Sequence, residues 1–119
     1  MEIRNLDAAE AFTTKDGSTI RELLGLPTSS LVRNQSLAEA ALAAGQSTQR
    51  HYHRASEEIY FMLEGGGLME VDGDEHEVGP GDAVLIPPGA WHTLRAGADG
   101  ARLLCMCAPP YTHEDTYFS

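Results

Sequence analysis

The stretch Gly45–Gly65, GQSTQRHYHRASEEIYFMLEG, decides how this chain is read. It places two of the five histidines, His51 and His53, one residue apart and follows them with Glu57, Glu58 and an aromatic–aliphatic run. In an extended segment, residues i and i+2 share a face. The two imidazoles therefore project together, with Gln49 before them, while Tyr52 takes the opposite face. Neighbouring positions on one face bring the rings near enough to chelate one ion. A surface pair or a hydrogen-bonded pair would satisfy the same spacing.

The residues that follow add to the pattern. Alternation along EIYFMLE turns Glu58, Tyr60 and Met62 to one side and Glu57 away from it. A carboxylate on a strand paired to His51–His53 would approach the same ion. Much later, GDAVLIPPGAWH ends on His92 after a Pro-Pro-Gly turn that can return a distant histidine to the rim of a barrel. Three imidazole nitrogens and one carboxylate oxygen suit Mn, Fe, Zn, Ni, Co or Cu and leave exchangeable positions; donor type does not choose among these metals.

Outward from this stretch, Gly and Pro punctuate the chain at intervals that suit strands better than helices. Asp72-Gly73 between LMEV and HEV is a tight-hairpin signal. Glu77 to Gly81 reads as a turn and Ala83 to Pro87 as a short buried strand. Thr93–Arg95 and Ala101–Ala108 give the last strands. Ser29 to Leu42 is expected to form two strands with a bend. Thr19 to Glu22 resembles a helix capping box, yet Ser18–Leu23 also alternates as a strand, and strand is favoured. Many short strands and tight turns predict an all-β jelly-roll barrel. Residues 1–28 read as an N-terminal arm, strand or short helix, and residues 29–119 as the barrel with a C-terminal tail.

The chain's 119 residues suggest one domain, and 42% apolar composition fits a globular one. Its formal net charge of −10 argues against nucleic acid and anionic membrane as partners, because both reward basic surfaces. No apolar run is long enough for a membrane helix. The start, MEIRNLDAAEAF, lacks the basic-then-apolar pattern of a secretory signal, so a cytoplasmic location is expected. Cys105 and Cys107 would share a strand face, where they are poorly placed for a disulfide. They read as reduced thiols, either core residues or pocket lining. Ile20, Leu23 and Leu24 give the segment Ser18–Leu24 more apolar surface than a free arm should expose, which suggests a homodimer contact.

Gly45-x5-His51-x-His53-x4-Glu58-x6-Gly65, followed after 15 residues by Gly81-x5-Pro87-x-Gly89-x2-His92, resembles the two motifs of the small cupins in order and spacing. That resemblance implies a double-stranded β-helix and carries over His51, His53, Glu58 and His92 as ligands of one divalent transition metal per chain. Position 96, often Asn in the family, is Ala here, which removes an inward polar group. His76 and His113 read as surface residues and Trp91 as packing. Gln49, Tyr60 and Met62 are the candidate substrate-pocket residues.

Cupin chemistry includes oxygenation, decarboxylation and isomerisation, so the fold does not choose a reaction. Two classes remain: a metal-dependent enzyme acting on a small organic molecule, or a non-catalytic metal and small-ligand binding module. No second inward carboxylate is evident as an acid or base. A rather apolar pocket favours dioxygenase-like chemistry over sugar-phosphate isomerisation.

Overall fold

The computed structural model describes residues 1–14, 16–28 and 30–119. Its longest feature is the antiparallel pairing of two strands, β5 (Glu57–Val71) and β8 (His92–Ala108), which runs from Glu57 opposite Ala108 to Val71 opposite His92. At about 3.4 Å per residue, a straight ladder of this length would hold its ends about 48 Å apart. The molecule measures only 38 × 29 × 24 Å, so the ladder bends.

The bend is visible in the alternation. On the first half of β5 the buried residues are Glu58, Tyr60 and Met62, and on the second half Met69 is buried. The inward parity switches from even to odd. On β8 it switches in the same sense, from Leu94 and Ala96 to Ala101, Leu103 and Cys107. The register shifts between Met62 and Glu64 and again between Gly65 and Gly67. Such bulges re-aim a strand so that one face stays inward around a sharp curve. Glycine is required where the backbones cross: Gly65 adopts φ +66°, and a Cβ there would overlap the Gly100 carbonyl. A Cβ on Gly67 would overlap the Arg95 carbonyl.

The other strands complete the barrel around this folded ribbon. They are β1 (Phe12–Thr13), β2 (Thr19–Leu24), β3 (Ser36–Leu42), β4 (His51–His53), β6 (Asp74–Val78), β7 (Ala83–Ile86) and β9 (Thr116–Phe118). The order is β1-β2-β3-β8-β4-β9, with β5 beside β8 and carrying β6 and β7. Helix among the described residues is limited to three short 3-10 turns, at Leu6–Ala8, Leu26–Thr28 and His113–Asp115. The expected all-β jelly-roll barrel is what forms. The core packs Met62, Ile86, Leu94 and Leu103, each at most 2% exposed. Each such side chain contributes about 1.5–3 kcal/mol on burial.

Several elements differ from the sequence reading. Thr19–Leu24 is a strand, as favoured from its alternation, and what differs is its place: it pairs with β3 from Thr19 opposite Ala41 to Leu24 opposite Leu37. It therefore belongs to the barrel sheet, and Ile20 packs against the core and not on a free surface. Between Ser29 and Leu42 only Ser36–Leu42 is a strand; Ser29 lies outside the described residues, and the polar run Arg33–Gln35 is exposed. The hairpin at Asp72-Gly73 forms with both residues at positive φ, and β6 continues through Val78, past the expected start of the turn at Glu77. Of β7 only Ile86 is buried. The tail adds β9, which pairs with β4.

The backbone crossing generates a prediction. Gly67→Ala should cost more than about 2 kcal/mol in urea unfolding, because the colliding atom is backbone and cannot step aside. Gly97→Ala, whose Cβ would make only an ordinary 3.6 Å contact with the Gly66 carbonyl, should change stability by less than about 0.5 kcal/mol.

Candidate metal centre and cavity

His51, His53, Glu58 and His92 converge inside the barrel. All four are buried, and one donor atom from each lies within 4.8 Å of the others. The route differs from a simple hairpin. β4 pairs with β8 at His51 opposite His92, and with β9, but not with β5. Glu58 reaches the cluster across the barrel, because the bent β5–β8 ladder brings its own two ends together. The Pro87–Ala90 turn delivers His92: Gly89, at φ +81°, donates its N–H to the His53 carbonyl at 2.7 Å.

Hydrogen bonds settle which ring nitrogen faces the centre. His51 Nδ1 lies 2.7 Å from the Gln49 carbonyl and His92 Nδ1 lies 3.0 Å from the Ala90 carbonyl. A carbonyl only accepts, so both Nδ1 atoms carry the proton and both Nε2 atoms present lone pairs. His53 Nδ1 lies 3.2 Å from Thr116 Oγ1, whose own proton goes to the Thr112 carbonyl at 3.1 Å. Thr116 therefore accepts from His53 as well. Such outer contacts orient imidazole ligands toward a metal.

The donor set fits a divalent transition ion. Glu58 Oε1 sits 3.2 Å from His53 Nε2 and 3.3 Å from His92 Nε2. Neither Glu58 Oε1 nor His92 Nε2 has a hydrogen-bond partner, although both are buried. Lone pairs facing a carboxylate at this range repel unless a cation or a proton lies between them. Ligands at about 2.0–2.2 Å from one ion can be no more than about 4.4 Å apart, so the cluster is within about half an ångström of closing on a single ion. Burial and the neighbouring His92 push His51 down to about 4, which keeps it neutral and ready to ligate. Burial pulls His53 down too, but the Glu58 carboxylate 3.2 Å away prevails and raises it. A proton held between His53 and Glu58 competes with a metal for the same atoms.

Beside the cluster lies a cavity of about 70 Å³, with mostly apolar walls formed by residues such as Ile20, Ala40, Leu94 and Leu103. Tyr60 lines it. Gln49 is exposed, and Thr48 takes the inward position. The segment before His51 is not continuous strand, so counting by twos from His51 fails there. Met62 is inward but belongs to the packed core at 1% exposure and does not line the cavity. Cys105 and Cys107 are free thiols on the cavity wall, and Cys107 Sγ lies 3.2 Å from Glu58 Oε2. Burial, first, and the charge of Glu58 push both thiols well up, so they stay protonated. Ala96 is buried, Glu57, His76 and His113 are exposed, and Trp91 packs on Tyr52 under Arg50.

Two parts of the site escaped the sequence reading. The tail supplies Tyr111, Thr116 and Phe118 to the cavity, with the Phe118 ring 5.8 Å from His51. The alternation in TYF was its only signal. Glu22 on β2 is a second inward carboxyl, 6% exposed, and its Oε1 has no hydrogen-bond partner. The alternation Ser18, Ile20, Glu22 places it there once the segment is a strand.

Residues 38–107 match the family model described as Cupin domain. The chain belongs to the cupin family. It is 47% identical over 111 residues to the uncharacterized protein MJ1618 of Methanocaldococcus jannaschii, which covers 92% of this chain and 88% of that one. L-ectoine synthase of Bordetella petrii is 30% identical over 84 residues, 69% of this chain and 62% of that protein. The polyketide cyclase RemF of Streptomyces resistomycificus superposes with a TM-score of 0.78 at 26% identity, covering 97% of this chain and 89% of that one.

Burial alone raises Glu22 to about 7. Relative to an unfolded carboxyl at 4.5, the folded state binds the proton more tightly. The associated stability is fully present below pH 4.5 and is lost as pH rises through about 7. Glu22→Gln removes that loss. The melting temperature of the variant should match native near pH 5 and exceed it by the equivalent of about 2 kcal/mol at pH 8, measured on metal-free protein.

Proposed function

We propose that this chain is a metal-dependent enzyme acting on a small organic molecule, with His51, His53, Glu58 and His92 holding one divalent transition metal. The observation that carries this reading is the pairing of three aligned Nε2 lone pairs and an unpartnered Glu58 oxygen with a cavity on their open side. A purely structural site has no need of that space. A bound ion supplies Lewis acidity that stabilises negative charge developing on a substrate oxygen. Three neutral imidazoles and one carboxylate leave a divalent site with one net positive charge. That favours a carboxylate, enol or phenol oxygen as the substrate's anchoring group. The apolar walls exclude water and hold the carbon skeleton, and the Tyr60 hydroxyl, kept protonated first by burial and then by the charge of Glu58, can donate a hydrogen bond to it. Oxygenase-like, decarboxylase-like and isomerase-like chemistry all fit this frame, as does the small-molecule chemistry named for L-ectoine synthase and for the polyketide cyclase RemF.

Protein purified without chelators should carry about one divalent transition metal per chain by elemental analysis, and His53→Ala should carry almost none. At free metal 100-fold above its dissociation constant the ion should add about 2.7 kcal/mol to stability. In cobalt-substituted protein, azide or acetate should change the visible spectrum. A spectrum indifferent to both would mean a closed, structural ion and would defeat the enzyme reading.

We further propose that the chain forms a homodimer. The support now comes from the outer face of the sheet. Leu85 is opposite Ile59 and Ile59 is opposite Met106, with Phe61 one pleat along, and Leu85, Ile59 and Phe61 are at least 37% exposed. A continuous apolar row on a sheet exterior is what natural proteins cover. Light scattering at micromolar concentration should give twice the chain mass, and Ile59→Glu should shift it to the monomer.

A further inference from the structure

The cavity holds a second carboxyl that the metal cluster does not use. Two other acidic groups that lie within the fold are satisfied. Glu39 is paired with Arg102 at 2.9 Å and with Arg21 at 3.6 Å. Asp16 accepts hydrogen bonds from the Ser18 N–H at 2.9 Å and the Ser18 hydroxyl at 2.6 Å. Glu22 has neither a hydrogen bond nor an ion pair among the described residues, and its Oε1 is fully enclosed. Gly25 lies against the carboxyl so closely that a Cβ there would overlap Glu22 Oε1 and Cδ.

Strand register places Glu22 relative to the metal cluster. Glu22 is opposite Ala38, Ala38 is opposite Cys105, and Cys105 is opposite Tyr60. Glu22 and Tyr60 thus share one inward row that crosses four strands, and between them stand the Ala38 methyl group and the Cys105 thiol. The next row runs Ser36, Cys107, Glu58. Two rows on one face are about 6.8 Å apart along the strand, and Glu22 on β2 and Glu58 on β5 also stand three strands apart across the sheet; the cavity that both line is what joins them. Glu22 also borders a second groove, under the N-terminal segment between Ile3 and Phe12. That position gives the carboxyl a path to exchange protons with solvent. The groups facing it are the Cys105 and Cys107 thiols on β8, the Tyr111 and Tyr60 hydroxyls, Asp16, and the His51, His53 and Glu58 cluster. No Lys or Arg of the described residues lines this cavity to hold Glu22 ionised.

We infer that Glu22 is the proton-transferring catalytic residue of this cavity, acting on substrates that carry a C–H bond next to a carbonyl. The inference rests on the proposed function, since it needs the substrate oxygen anchored at the histidine end. In its ionised form Glu22 takes the proton from the carbon. The C–H electron pair becomes the C=C bond of an enolate, and the negative charge moves to the oxygen anchored at the histidine end of the cavity. Glu22, now a carboxylic acid, returns the proton to the same carbon or to a neighbouring one of the conjugated system and restores the carbonyl. No electrons are gained or lost, so the reaction needs no co-reactant. Burial, which raises Glu22 to about 7, sets its proton affinity near neutral pH, where one group can both take and return a proton.

Pyruvate is a suitable probe, because its methyl C–H bonds adjoin a carbonyl and it is small. Exchange of these protons for deuterium is followed by proton NMR with zinc-loaded protein in D2O, against buffer with the same zinc. Native protein should accelerate exchange, with the rate rising to a plateau through about pH 7. Glu22→Gln should fall at least 100-fold toward the buffer rate with unchanged zinc content. Glu22→Asp, which withdraws the carboxyl by one carbon, should lose at least 10-fold and keeps the test informative if the Gln variant fails to fold. Exchange undiminished in either variant, or native exchange no faster than buffer, would overturn the role of Glu22. The cobalt spectrum separates this from the broader reading. Cobalt-substituted protein that responds to pyruvate without exchanging its protons would leave the metal enzyme standing and remove only Glu22.

Discussion

The structure depends on one constraint: the β5–β8 ladder has to fold back on itself. Glu58 and His92 stand near opposite ends of that ladder, yet Glu58 Oε1 and His92 Nε2 are 3.3 Å apart. The contact exists only because both strands turn sharply, around Gly65–Gly67 on one and Gly97–Gly100 on the other. Close backbone approach at the turn excludes side chains at Gly65 and Gly67. The bulges that accompany it keep the apolar face inward on both halves. A straight ladder of the same residues would keep Glu58 and His92 apart and assemble no candidate metal centre.

The same fold-back makes the interior electrostatically expensive. It collects three imidazoles and a carboxylate in a buried pocket and leaves two of their atoms without partners. Uncompensated, this would be a considerable cost in stability. Backbone carbonyls and Thr116 fix the three rings with their lone pairs converging, so the cost is concentrated at one point that a cation can relieve. Glu22 repeats the theme on a smaller scale. It has no cation to pair with, and burial shifts it toward the neutral acid instead. The cavity thus holds two carboxyls in opposite states: a positive charge shared with His53 and His92 keeps Glu58 ionised against the pull of burial, while Glu22 holds its proton up to about pH 7. Separated proton affinities of this kind are what acid–base chemistry uses.

The cavity wall is assembled from distant parts of the chain. β2 brings Ile20 and Glu22, β3 brings Ala38 and Ala40, β8 brings the two thiols, and the C-terminal segment closes over the histidines with Tyr111, Thr116 and Phe118. The small residues on β3 leave the space, and the larger ones around it give that space its shape. β5 turns Glu58 and Tyr60 to the cavity, and its outer face with that of β7 carries the apolar row of Leu85, Ile59 and Phe61, so the two faces of one sheet serve different ends.

The sequence by itself determined the local units. Period-two alternation and glycine punctuation specified the strands from His51 to Ala108, Asp72-Gly73 specified its hairpin, and the motif spacing singled out His51, His53, Glu58 and His92. These are short-range features, readable because side-chain direction follows chain position within a continuous strand. Tertiary structure decided whatever crosses a break in that continuity. Gln49 points outward because the chain before His51 is irregular. Met62 faces inward as counted, yet packing places it behind the cavity wall. β4 lies between β8 and β9, pairings set by the closing of the barrel and by no local signal. Glu22 joined the site only when Thr19–Leu24 paired with β3, since a six-residue segment with both helical and strand signals takes its conformation from the neighbour it can hydrogen-bond.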